Sequence, residues 1–171
     1  MRPFTRAVNR ALGGFLIFLM VVMVLDVTWQ VFTRFILNNP SSFTEELAGF
    51  LLIWIGILGA SYAFYTRSHL GIDLLTYRLK GAKRRAVDVL VNAIVFLFAV
   101  SVMGLGGLRL VLLTLTLEQI SPSVGIPMGY VYTVIPLSGG LIALYALGFL
   151  WESIKSANPT PEAEHQISIL D

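Results

Sequence analysis

The stretch that decides the fold is Leu47–Tyr65, LAGFLLIWIGILGASYAFY, which has no charged residue in 19 positions. A helix needs about 20 apolar residues to cross the hydrocarbon core of a bilayer. The run shows no strand-like alternation of polar and apolar residues, and lipid offers the backbone no hydrogen-bond partners. The stretch therefore predicts a transmembrane helix.

Apolar runs on either side of this stretch predict three more spans. The four spans are expected at about residues 11–36, 43–65, 87–115 and 129–151, followed by a polar cytoplasmic tail over 152–171. Of the 171 residues, 56% are apolar and only 13% charged, against about 25% charged in ordinary soluble domains. The sequence thus predicts an all-α integral membrane protein, with residues 1–151 forming two antiparallel helical hairpins.

Basic residues are concentrated on one side of this topology. Loops 37–46 and 116–128 contain no Lys or Arg. By the positive-inside rule, both chain ends are expected on the cytoplasmic side of a bacterial inner membrane. Ten of the 12 basic residues fall on that side: Arg2, Arg6, Arg10, Arg67, Arg78, Lys80, Lys83, Arg84, Arg85 and Lys155.

The loop between the second and third spans predicts a short amphipathic helix at the membrane interface. Its basic side chains would contact membrane phospholipid, which explains the positive charge without nucleic-acid binding. His69 and Asp73 could also hold a metal, but two ligands alone make a weak site. The residues assigned to this interface are His69, Asp73, Arg78, Lys83, Arg84 and Arg85.

The first span contains polar residues at helical spacing. Asp26, Gln30 and Arg34 follow one another at intervals of four, so they share one helix face, and Trp29 lies beside them. One interpretation is a polar seam that faces another protein segment. The alternative is that Arg34 reaches the outer interface while Asp26 occupies a shallow wet pocket.

The turn between the first two spans carries a second polar group. Ser42 and Glu45 fit a capping box at the start of the second helix. Glu46 or Glu45 could pair with Arg34 across the hairpin, or Asn38, Glu45 and Glu46 could form an exposed rim that docks another protein. The two interpretations do not exclude each other.

Small residues are abundant in the spans. Gly56, Gly59 and Ala60 lie in small-xxx-small patterns in the second span, which permit close helix packing. Pro136 is expected to kink the fourth span, because its ring removes a backbone hydrogen bond.

The motifs of common enzyme classes are missing from the sequence. There is no cysteine, phosphate-binding loop, His-Glu-x-x-His or nucleophile elbow. A cofactor or a catalytic site is therefore not expected. A self-sufficient homodimeric proton antiporter of the small multidrug type remains an alternative. It requires a lone carboxylate deep in the first span, whereas Asp26 has polar neighbours toward the outer half of the membrane.

Several motifs together resemble a known family. They are Trp29-Gln30-Val31-Phe32-Thr33-Arg34-Phe35-Ile36-Leu37-Asn38, Phe43-Thr44-Glu45-Glu46-Leu47-Ala48, Trp54, Gly59-Ala60, His69 and Asp73. They are similar to the small membrane subunit of TRAP (tripartite ATP-independent periplasmic) transporters, the Q or DctQ-like permease. The chain departs from that pattern at Phe43, where many members have Trp, and at Gly49, where many have Arg.

The resemblance implies a scaffold subunit. It would support a large M-type elevator subunit that carries the substrate and sodium sites, so this chain would bind neither substrate nor sodium. It would also help to dock a periplasmic P-type binding protein. The solute would be an organic acid such as a C4-dicarboxylate or sialic acid.

Overall fold

The computed structural model describes residues 2–39, 41–66 and 82–155, with the side chains of 2–4, 82–85 and 152–155 left aside. These ranges form helices and connecting turns, with one isolated bridge and no strand among them. The elements are α1 (Arg2–Phe35), α2 (Ser42–Tyr65), α3 (Ala82–Phe98), the π-helix π1 (Ala99–Gly106), α4 (Gly107–Thr116), α5 (Met128–Tyr132) and α6 (Val134–Lys155).

Four helical stretches are long and apolar enough to cross a membrane. They are Thr5–Phe35, Ser42–Tyr65, Ala86–Thr116 and Met128–Trp151. The prediction of an all-α protein with four spans is therefore confirmed. The predicted interfacial helix falls mainly on residues 67–81, and the tail beyond residue 155 is likewise outside the described ranges.

The helices pack as a row of neighbours in the order first, second, fourth and third span. α1 packs on α2, α2 packs on α6, and α6 packs on α3 and π1. The core lies where α1, α2 and α6 meet, and its buried members are Leu12, Leu19, Leu51, Leu58 and Val134. α2 is thus a central helix with a neighbour on each flank.

The third and fourth spans approach closely because glycines line their contact. A Cβ atom added at Gly139 would lie 2.8 Å from Met103 Cβ and 2.9 Å from the Ala99 carbonyl oxygen. One added at Gly107 would lie 2.8 Å from Ile135 Cγ2. The π-helical turn therefore lies directly against the backbone of α6, and α-helical periodicity in the sequence did not predict it.

Pro136 interrupts the fourth span as predicted. The helix stops after Tyr132 and resumes at Val134, which places Pro136 in the first turn of α6. In a continuous helix, the ring of Pro136 would meet the carbonyl of Tyr132. The break at Thr133 relieves that conflict.

The capping box predicted at Ser42 is wrong. Ser41, not Ser42, occupies the N-cap, and its side chain makes no capping bond. Instead, the Thr44 hydroxyl donates a hydrogen bond of 2.9 Å to the Ser41 carbonyl oxygen. On the other side of the turn, Asn38 adopts a positive φ of 49°, and the Asn39 amide donates back to the Thr33 carbonyl oxygen at 3.2 Å.

Candidate functional site

Glu46 joins the two loops at one end of the molecule. Its carboxylate oxygen Oε2 accepts a short hydrogen bond from the Ser121 hydroxyl. The same oxygen accepts from the Ser123 amide at 3.1 Å and from the Val124 amide at 3.3 Å. Ser121 is 1% exposed, so the contact is shielded from solvent on that side. A carboxylate at the start of α2 therefore holds the turn between the third and fourth spans.

That turn is compact enough to present its amides together. The Ser121 amide donates to the Ile126 carbonyl oxygen at 3.0 Å, and the Gly125 amide donates to the Ser121 carbonyl oxygen at 2.9 Å. Gly125 has a positive φ of 75°, which glycine adopts without strain. These bonds fold residues 121–126 back on themselves and leave the Ser123 and Val124 amides to the carboxylate.

The third span ends in a Schellman motif just before this turn. Glu118 has a φ of 49°, its amide donates to the Leu115 carbonyl oxygen at 3.1 Å, and the Gln119 amide donates to the Thr114 carbonyl oxygen at 3.2 Å. The Glu118 side chain is exposed. The helix end therefore places a second carboxylate on the same surface as the hairpin.

The predicted ion pair between Arg34 and Glu46 is not formed. Within the described ranges, Glu46 bonds to the second loop, and Arg34 is exposed with its guanidinium carbon 6.0 Å from the centre of the Phe35 ring. Arg34 makes no described ion pair with Glu45 either. Three converging donors fix the Glu46 carboxylate, whereas Arg34 can stay hydrated. Glu46 is half-buried, whereas Asn38 and Glu45 are exposed, and their role as a rim that docks another protein stays a prediction.

The residues of the predicted polar seam are only partly covered. Asp26 and Gln30 are half-buried, whereas Arg34 and Trp29 are exposed. Trp29 stacks on Phe32, with ring centres 5.7 Å apart. Among the described side chains no hydrogen bond joins Asp26 to Gln30, and one oxygen of Asp26 is buried without a partner. That this face meets another protein stays a prediction.

The small residues of α2 face away from the rest of the chain. Gly56 and Ala60 are exposed, and Gly59 is half-buried. A Cβ atom added at Gly49, Gly56 or Gly59 would meet nothing within 4 Å. These residues therefore do not contact another helix of the described chain, and their role in helix packing stays a prediction.

Polar contacts that the sequence did not reveal join α2 to the fourth span. The Trp54 indole N–H donates to the Val131 carbonyl oxygen at 3.0 Å, next to the helix break. The hydroxyls of Ser61 and Ser138, both fully buried, lie 2.6 Å apart. Such polar pairs hold helices together where the hydrophobic effect between them is weak. Ser61 and Ser138 are isolated in apolar runs, and that isolation is the one signal the sequence offered.

The predicted lipid-contacting residues fall outside what can be described. His69, Asp73 and Arg78 lie in the undescribed range 67–81. Lys83, Arg84 and Arg85 belong to α3, but their side chains are not described. Their role at the membrane surface stays a prediction.

Comparison with known proteins identifies what the chain resembles. The family model of the tripartite ATP-independent periplasmic transporters, DctQ component, matches residues 20–156. A protein of Haemophilus influenzae named as a TRAP transporter small permease is 24% identical over 143 residues, covering 84% of this chain and 87% of that relative.

Two further relatives carry more specific names. The isethionate TRAP transporter permease protein DctMQ of Oleidesulfovibrio alaskensis is 30% identical over 139 residues, which cover 78% of this chain but only 22% of that relative. The C4-dicarboxylate TRAP transporter small permease protein DctQ of Rhodobacter capsulatus is 35% identical over 98 residues, covering 57% of this chain and 43% of that relative. The match therefore spans about a fifth and less than half of these two relatives, respectively.

Proposed function

Because this chain belongs to the DctQ component family of the tripartite ATP-independent periplasmic transporters, we propose that it is the small scaffold subunit that supports a large permease. The family is a membrane transport component and not an enzyme. With its four spans, the chain is a multi-pass protein of the inner membrane.

The partner we propose is a large M-type permease subunit. The relative named DctMQ supports this, because the part similar to our chain is only 22% of a much longer permease protein. In that relative, the small unit is covalently joined to the rest of the permease.

The observation that carries the proposal is the open face of α2. Gly49, Leu52, Gly56 and Ala60 are all exposed. Their spacing places them on one side of the helix, opposite the buried Leu51 and Leu58. We call these four residues the α2 face. Small side chains let another helix approach its backbone closely, which is how helices associate in lipid.

A wedge in the α2 face tests this assignment. Gly56→Leu should leave the isolated chain folded, since an added Cβ meets nothing within 4 Å, and should reduce co-purification with the large permease at least about tenfold. The matched control is Gly106→Leu at the edge of the row, where an added Cβ comes no closer than 3.8 Å to the Ser101 carbonyl oxygen.

Both variants are co-expressed with the large permease of the same transporter, and the complex is quantified after purification. The thermal unfolding temperature of each isolated chain reports folding separately. Undiminished complex with Gly56→Leu, or equal loss with Gly106→Leu, would exclude the α2 face as the interface.

We propose that the two loops predicted to face the periplasm form a surface that docks a periplasmic binding protein. Glu45 and Glu118 are exposed there, and the loops contain no basic residue. Glu46 holds the two loops together through Ser121. We propose that this acidic surface, defined by Glu45 and Glu118, meets a basic patch on the substrate-loaded binding protein.

The transported solute we propose is a small organic anion. The relatives are named for isethionate and for C4-dicarboxylates, which are all small acids; sialic acid belongs to the same chemical class. Sodium would drive import and would bind to the large subunit. Sodium-dependent uptake of labelled organic anions by the complete transporter tests both points.

A further inference from the structure

A cavity of about 510 Å³ opens between the N-terminal end of α1 and the C-terminal end of α2. Its polar lining consists of Arg6, Asn9 and Arg10 from α1 and of Tyr62 and Tyr65 from α2. The positive-inside rule places this end of both helices at the cytoplasmic membrane surface. The cavity therefore lies at the depth of the lipid headgroups.

An unsatisfied polar group belongs to one of the residues that line this cavity. Asn9 is 7% exposed, and its Oδ1 atom is buried without a hydrogen-bond partner in the described chain. Buried polar atoms almost always have a partner. Turned toward the cavity, this amide would bond to a ligand that carries a hydroxyl or another hydrogen-bonding group.

Two positive charges flank the amide. Arg6 and Arg10 are four residues apart, so they lie on one face of α1 and both line the cavity. Their side chains are exposed, and neither forms a described ion pair. Guanidinium groups bind phosphate oxygens in a forked geometry. The mouth of the cavity is therefore suited to a phosphate group.

Tyr62 fixes the shape of the cavity wall. Its ring lies against α1 at Gly13, where an added Cβ would come within 3.1 Å of the ring atom Cε2. A tyrosine ring with its hydroxyl toward water is favoured at the headgroup level of a membrane. The glycine thus allows an aromatic wall beside the two arginines.

An apolar groove continues from the cavity along α1. It has a volume of about 300 Å³ and is lined by Ile17, Met20, Val21, Val24 and Leu25. Ile17 lines both spaces. From Ile17 to Leu25 the helix rises about 12 Å toward the membrane centre. A free phosphate would leave this groove empty, whereas an acyl chain would fill it.

We propose that the cavity and groove together bind one anionic phospholipid of the cytoplasmic leaflet. The phosphate lies between Arg6 and Arg10, a headgroup hydroxyl donates to Asn9 Oδ1, and an acyl chain follows the groove. Phosphatidylglycerol has all three features. The bound lipid would secure the contact between α1 and α2, independently of the partner that covers the α2 face.

Native mass spectrometry of the delipidated full chain tests the site. Phosphatidylglycerol, phosphatidylcholine or inorganic phosphate is titrated in, and the bound fraction is measured. Phosphatidylglycerol should bind at one molecule per chain, and at least about tenfold more tightly than either alternative.

Variants separate the site from general surface charge. Arg6→Gln/Arg10→Gln should weaken phosphatidylglycerol binding at least about tenfold, and Asn9→Leu about threefold or more. The control, Arg2→Gln/Lys155→Gln, also removes two positive charges, one at the N-terminal end of α1 and one at the C-terminal end of α6. It should change phosphatidylglycerol binding less than about twofold. An equal loss in the control would overturn the proposal.

The groove is tested without changing charge. Val21 is 53% exposed, so Val21→Trp is tolerated by the fold and obstructs the groove. It should weaken phosphatidylglycerol binding at least about threefold. Unchanged lipid binding, or phosphate binding as tightly as the lipid to the wild-type chain, would contradict a lipid site. If the lipid-free Asn9→Leu chain unfolds at a lower temperature than the wild type, its lipid binding no longer tests the site. Val21→Trp, which keeps the polar groups of the cavity, then decides the outcome.

Discussion

Glu45 and Glu46 are adjacent carboxylates with different surroundings. Glu46 accepts three hydrogen bonds from the loop at residues 121–124, whereas Glu45 is exposed. Hydrogen bonds to a charged acceptor are roughly twice as strong as neutral ones. One carboxylate is therefore structural, and its neighbour is free for another molecule.

Replacing each carboxylate by its amide tests this difference. Glu46→Gln removes the charge that three donors converge on, and should lower the free energy of unfolding because those hydrogen bonds weaken. Glu45→Gln makes the same chemical change at an exposed position and should stay within about 0.5 kcal/mol of wild type. Chemical unfolding of the detergent-solubilised chain gives both values, and hydrogen exchange at the Ser123 and Val124 amides should accelerate only in Glu46→Gln. Equal effects of the two substitutions would refute the bridge.

The third and fourth spans are held by backbone approach at glycine. At Gly139, an added Cβ would lie 2.8 Å from Met103 Cβ and 2.9 Å from the Ala99 carbonyl oxygen. At Gly140, the next residue, nothing lies within 4 Å. The two neighbouring glycines on α6 therefore provide a test and its control.

Gly139→Ala should destabilise the chain by about 1–3 kcal/mol, because π1 and α6 must separate to admit the methyl group. Gly140→Ala should be neutral or slightly stabilising, because alanine favours a helix and meets no neighbour. Thermal unfolding of both variants in the same detergent compares them. If Gly139→Ala proved as stable as Gly140→Ala, the close contact would be wrong.

The sequence predicted the helices well, because lipid offers no hydrogen-bond partners and a charge-free run in the membrane must satisfy its backbone groups within a helix. It also located the break near Pro136, since that conflict is local. It did not predict the bond between Glu46 and Ser121, because the two residues are 75 positions apart and meet only after α2 packs on the fourth span.

The glycines show the same limit at the level of helix faces. Gly56 and Gly139 both lie in apolar helices, yet one is open and the other is packed against a backbone. Composition does not distinguish an internal contact from an external one; the order in which the spans pack does. The sequence did not predict the π-helix, because the residue types of π1 are the same as those of the α-helical spans around it.

At the scale of the whole molecule, the four spans form a row with a large open surface. The third span is the most open of the four: in its most apolar stretch of 18 residues, only 6% of the residues are buried within the chain. α1 packs mainly on α2, and the third span packs on the fourth. Such an arrangement presents surfaces to other molecules along its length, as a scaffold subunit requires.

The acidic surface at the loop end is tested by reversing its charge. Glu45→Lys/Glu118→Lys in the complete transporter should raise the KM for substrate-loaded binding protein about fivefold or more, with uptake at saturation unchanged. The amide pair Glu45→Gln/Glu118→Gln should show a smaller rise, and added salt should shrink both effects. A KM equal to that of the wild type in Glu45→Lys/Glu118→Lys would exclude this surface as the docking site.

We propose that this chain supports transport and does not perform it alone. The direct measurement compares proteoliposomes that contain the purified chain with proteoliposomes that also contain the large permease, each given the binding protein, an organic anion and a sodium gradient. We expect uptake with the large permease and none with the chain alone, whether a sodium or a proton gradient is applied. Solute transport by the chain alone would contradict the account and would favour a self-sufficient antiporter.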